Sequence, residues 1–122
     1  MAASSPALSP GGGNVVPVRI NLNSHGKVRS VDPDNFDIIK AQHQQVFWYV
    51  SDGNAHFNVE FIGDSPFDYK QFSDAEPYSG LVRREVLADP NKCYTYNVTV
   101  TLGSKVSTHK GSKGFDPGGY VK

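Results

Sequence analysis

The 122-residue chain holds one cysteine, Cys93, one methionine, Met1, and one tryptophan, Trp48. A single cysteine closes no internal disulfide, so any disulfide would join two chains and the redox compartment stays open. Charge of one sign is also missing: 12 Lys plus Arg face 12 Asp plus Glu, leaving no global field to draw in nucleic acid or an anionic membrane. The start, MAASSPALSPGGG, has neither a basic n-region nor an apolar h-region, which argues against a signal peptide and a membrane span. The expectation is a soluble chain acting in the cytoplasm, or one whose leader was removed and replaced by a new Met, with the first favoured. No amphipathic helical period and no internal repeat is present. No G-x-S-x-G or H-E-x-x-H occurs, and the glycine-rich run from Gly111 to Gly119 lacks the strand, turn and helix of a phosphate loop. No catalytic residue and no cofactor is assigned, and the chain reads as a non-enzyme.

What is present is alternation. In KCYTYNVTVTL, Tyr94, Tyr96, Val98, Val100 and Leu102 fall on one face of a strand from Lys92 to Leu102, and Cys93, Thr95, Asn97, Thr99 and Thr101 on the other. QVFWYV, Gln45 to Val50, reads as a central strand with Val46, Trp48 and Val50 on one face and Phe47 and Tyr49 on the second, both faces covered. From Ala55 to Ile62, Phe57, Val59 and Phe61 point in while His56, Asn58 and Glu60 point out; the Asp-Gly before it is a hairpin signal.

Around these, residues 1 to 14 are Ala, Ser, Pro and Gly with little to bury and read as a disordered tail. The folded domain spans 15 to 122. Val15 to Leu22 opens it, with Pro17 marking an edge strand. Lys27 to Val31, Phe36 to Lys40, Leu81 to Leu87 and Gly119 to Lys122 are further strands, the last after Asp116-Pro117-Gly118. Gly63 to Gly80 is a long packed loop, Gly103 to Gly114 a loop of Gly, Ser and Lys, and Gly111 to Gly119 a mobile one. Seven or eight short strands without helices predict an all-β, antiparallel Greek-key sandwich.

The order of features resembles the cupredoxin fold, and more narrowly a group of small bacterial cupredoxin-like proteins. The carriers are Trp48, Phe57-Asn58-Val59-Glu60-Phe61, Ser65-Pro66-Phe67, Tyr94-Thr95-Tyr96 and Asp116-Pro117-Gly118, over about residues 28 to 122. Blue copper needs two His and a Cys thiolate beside a weak axial Met. The resemblance puts the first imidazole where Phe57 stands and the thiolate where Val98 stands, and the only Met is Met1. It therefore implies the fold and contradicts the usual electron transfer.

Two readings follow. The first is a copper-free, non-catalytic binding or structural module that meets a protein partner or a second copy through its loops, with Phe67, Tyr69, Phe72 and Tyr78 as the candidate binding aromatics. The alternative is a variant metal or redox site using Cys93 with His56 or His109. A third sets Asp64, Asp68 and Glu76 on the long loop as a hydrolytic or sugar-binding group, although Glu60, Asp64, Asp68, Asp74 and Glu76 do not match a calcium loop. His25 and His43 are expected to be exposed. The basic run His109, Lys110, Lys113 and Lys122 reads as solvated, Arg83-Arg84 as no phosphate clamp, and Asn97-Val98-Thr99 as an incidental sequon.

Overall fold

Nine strands make up the all-β structure seen in the computed structural model, which describes residues 14–111 and 117–122. Most of the expected tail, the end of the Gly103 to Gly114 loop, Lys113 and Asp116 lie outside the described residues. The strands are β1 Val15–Leu22, β2 Val28–Asp32, β3 Asn35–Ile38, β4 Gln45–Val50, β5 His56–Phe61, β6 Gln71–Ser73, β7 Asp89–Leu102, β8 Lys105–His109 and β9 Gly118–Val121. The one helical element among the described residues is a 3-10 turn, Lys40–Gln42, and none of their helices is long and apolar enough to cross a membrane.

The strands form two mixed sheets. One has the order β2-β1-β4; the other runs β3-β9-β7-β5-β6, with β8 also paired to β7. The expectation of purely antiparallel pairing is corrected at two places: β1 runs parallel to β4 and β3 parallel to β9. Parallel neighbours need a long connection. Here the excursion through β2 and β3 separates β1 from β4, and most of the chain separates β3 from β9.

Alternation then builds a single core. Val18 and Ile20 of β1, Val46 and Trp48 of β4, Phe57, Val59 and Phe61 of β5, and Tyr94, Tyr96, Val98 and Val100 of β7 are all buried together. Six-ring packing sits at its centre, where Phe36, Trp48, Phe61, Phe67, Phe72 and Tyr96 meet at centroid separations of 5.0 to 6.5 Å, mostly edge-to-face. Such rings contribute beyond their buried area.

Pro17 is not on an edge strand, since β1 lies between β2 and β4. The missing N–H is still harmless. Ile20 accepts from Ser51 N on the β4 side, so by alternation Pro17 faces the β2 side, and β2 pairs with β1 only from Arg19 onward. Three further expectations change. Leu81 to Leu87 is not a strand: it makes one bridge, Val82 to Phe67, and its path is fixed by the Arg83 side chain on Ser65 O and Asp64. The expected loop after Leu102 contains β8, because Leu102 pairs with Lys105 around Gly103-Ser104 and Gly103 adopts φ +63°, a two-residue hairpin. The long loop likewise contains β6, paired with β5. The Asp52-Gly53 turn joins strands in different sheets, so it is an arch and not a hairpin.

Candidate aromatic groove at the edge of β4

Strand parity sends Trp48 into the core and its neighbours outward. On that outer face Phe47 is half-buried and Tyr49 exposed, with ring centroids 5.7 Å apart and planes 15° from parallel. Tyr78 completes a row of three, 4.8 Å from Phe47. It arrives from the long loop because the 77–79 segment pairs with the free edge of β4. Trp48 N donates to Pro77 O at 3.0 Å, Ser79 N to Val46 O at 2.8 Å, and Val46 N to Ser79 Oγ at 2.8 Å. The same edge is held from below by Gln45, whose Oε1 accepts from Gly80 N at 3.2 Å. Covering an edge in this way also blocks strand addition there.

Beyond Tyr49 the edge opens into a groove of about 260 Å³. Phe47, Val50, Ala55, Phe57 and Pro77 supply its apolar lining, while Tyr49, Asp52, His56 and Asp74 bring polar groups. Two straps fix these polar groups. Asp74 Oδ1 accepts from Phe57 N at 3.1 Å and Oδ2 meets His56 Nδ1 at 2.8 Å, tying the turn after β6 to the start of β5. Asp52 Oδ1 accepts from Asn54 N at 2.8 Å and shapes the arch. The hydrogen bond from His56 is the main reason the Asp74 carboxyl sits below its ordinary value, with the Phe57 N–H adding to it and partial burial opposing. A concave, mostly apolar hollow with a few fixed polar groups is the usual form of a ligand site.

The four expected binding aromatics do not form one exposed patch. Phe67 and Phe72 are buried at 1 % and 4 % exposure inside the core, because Ser65 Oγ accepts from Phe67 N and β6 turns Phe72 over Val59. Tyr69 is 53 % exposed at a separate polar depression with Asn58 and Gln71. Only Tyr78 joins the row. Phe47 and Tyr49, on the second face of QVFWYV that was expected to be covered, take the places of Phe67 and Phe72, and that face leaves Tyr49 exposed.

The alternative metal donors do not converge either. His56 stands opposite Thr101 and is turned outward with it, whereas His109 stands opposite Val98 on the other face. Cys93 lies eight residues from Thr101 along β7, roughly 25 Å at the usual rise per residue. Its half-buried Sγ is 3.7 Å from Asn35 Oδ1, and its charge and hydrogen bonding hold the Tyr120 hydroxyl above its ordinary value. Among the described residues no three His, Cys, Asp or Glu side chains form a metal-binding group.

The acids of the long loop are dispersed. Asp64 pairs with Arg83 at 3.0 Å and Lys92 at 3.4 Å, Glu60 with Gln71 at 3.3 Å, and Asp74 with His56. Asp68 and Glu76 line different hollows, so Asp64, Asp68 and Glu76 do not share a site. Comparison with protein-family models, with curated proteins and with solved structures finds no match to this chain.

Proposed function

We propose that the chain is a non-catalytic binding module on a Greek-key, cupredoxin-like sandwich without a type 1 copper centre. The observation that carries this reading is the identity and burial of two side chains. Phe57 and Val98 occupy the positions where the resemblance expects imidazole and thiolate, and they are 5 % and 0 % exposed, packed in the common core. Hydrocarbon in both places leaves no donor for a soft metal. Binding is then the property of the surface, and the groove beside Tyr49 is the hollow that sets aromatic rings beside hydrogen-bonded carboxylates. Hydrogen bonds hold its walls in place before any ligand arrives, which lowers the ordering cost of association.

The test has two arms. Copper(II) titration followed by visible absorbance is expected to give no thiolate-to-copper band. A small-molecule screen read by amide NMR is expected to give hits whose shifts centre on Tyr49, Gly53, Ala55, His56 and Asp74. A coloured copper adduct, or hits that avoid the groove, would contradict the proposal.

A further inference from the structure

We infer that the groove at the end of β4 takes a small organic cation, an alkylated ammonium group, held between the ring of Tyr49, at the end of the aromatic row, and two carboxylates. The inference rests on the reading of this groove as the binding site and names its ligand class.

The first observation is composition. The groove is walled by the rings of Phe47 and Tyr49 and carries Asp52 and Asp74, and neither Lys nor Arg is among its lining residues. An anion would meet two carboxylates, offset only by the His56 imidazole that pairs with Asp74. Arg19 stands opposite Tyr49 on the neighbouring strand β1, and it is not among the groove's lining residues. The second observation is that both carboxylates are pinned. Asp52 is fixed by Asn54 N and Asp74 by Phe57 N and His56, yet each oxygen retains acceptor capacity beyond the bond it makes.

The third is size. A volume of about 260 Å³ is below the ~300 Å³ at which drug-sized sites begin. At ~30 Å³ per water-sized group it holds fewer than about ten non-hydrogen atoms. The aliphatic and aromatic floor accepts methyl groups and offers them no hydrogen bond. Ring faces attract a desolvated cation through their quadrupole, and quaternary ammonium groups are the cations best matched to such rings. A sugar of this size would present hydroxyls all round to a floor of Val50, Ala55, Phe57 and Pro77, leaving several unpaired.

The experiment is an amide NMR titration of the full chain with choline, with its uncharged carbon isostere 3,3-dimethylbutan-1-ol, and with glucose. Choline is expected to shift Gly53, Ala55, His56 and Asp74 saturably, with the isostere at least about tenfold weaker and glucose without effect. Raising salt should weaken choline and leave the isostere unchanged. Asp52→Asn keeps the acceptor for Asn54 N and removes the charge, and Tyr49→Leu keeps an apolar wall and removes the ring. Each is expected to weaken choline several-fold without changing the rest of the spectrum. Equal binding of choline and the isostere would overturn the cation assignment, as would saturable glucose binding. In both of those cases the groove would still be a binding site. Absence of any groove shift, with these probes and with the screen above, would remove both the assignment and the reading beneath it.

Discussion

His56 Nδ1 and Asp74 Oδ2 lie 2.8 Å apart, although 18 residues separate them in sequence and the imidazole is 74 % exposed. The contact joins the first residue of β5 to the turn after β6. With Phe57 N on the other carboxylate oxygen, Asp74 fixes the rim of the groove from two sides.

The pair gives the fold an acid limb of known sign. Asp74 titrates below its ordinary value of 3.8, chiefly through the His56 hydrogen bond. A carboxyl depressed in the native state contributes stability that is complete above the unfolded value and is lost as pH falls through the native one. Urea midpoints of the wild type should therefore drop below about pH 4, and Asp74→Asn should flatten that drop. Asp74→Ala should also cost about 0.5–1 kcal/mol at neutral pH by freeing Phe57 N, a modest figure because the pair faces solvent. An unchanged acid limb in Asp74→Asn would show that the carboxyl does not titrate with folding.

Gly119 packs its backbone tightly against the Phe36 ring. A Cβ placed there would fall on the Phe36 ring, and Phe36 is fully buried against Trp48, Phe61, Phe67 and Tyr96. The ring has no space to retreat into, so Gly119→Ala is expected to destabilise by about 1–3 kcal/mol through overpacking. Adding Phe36→Leu should recover part of the loss relative to Phe36→Leu alone. Thermal unfolding of the four proteins in this cycle checks the coupling, and additive effects would show that the ring is not the obstacle.

Two polar atoms are out of place in that same core. The Trp48 indole N–H and the Tyr96 hydroxyl are buried without a partner at hydrogen-bond geometry among the described residues. Burial pushes Tyr96 far above its ordinary value, opposed in part by the neighbouring Trp48 N–H. Removing an unsatisfied hydroxyl relieves its desolvation. Tyr96→Phe is thus expected to leave stability unchanged or raise it by about 1 kcal/mol. A loss above about 2 kcal/mol would mean that the hydroxyl has a strong partner.

The strands with a buried face were legible because period-two alternation is a local signal. β1 and β4 have the bounds that VVPVRINL and QVFWYV suggest, and Cys93 falls on the outward face of β7 as its parity requires. β8 was hidden because KVSTH is mostly exposed and carries little apolar contrast, although Gly103-Ser104 was the available hairpin signal. LVRREVL has apolar residues at strand-like spacing and finds no partner strand, so it stays irregular. Parallel pairing of β1 with β4 depends on contacts across the domain, which no local pattern records. In the site, parity set His56 outward and put Phe47 and Tyr49 on one face of β4, but the expectation that this face is covered missed the exposure of Tyr49. The inward course of Phe67 and Phe72, the outward course of Tyr69 and the reach of Asp74 to His56 are set by the path of an aperiodic loop.

The most direct measurement is a side-by-side amide NMR titration of the full chain with copper(II) and with choline, each paired with visible absorbance. Recognition at the β4 edge predicts saturable choline shifts around Tyr49, Gly53 and Ala55, and no thiolate-to-copper absorption. A visible copper band accompanied by joint perturbation of Cys93 and His109, with the groove silent to choline, would contradict it.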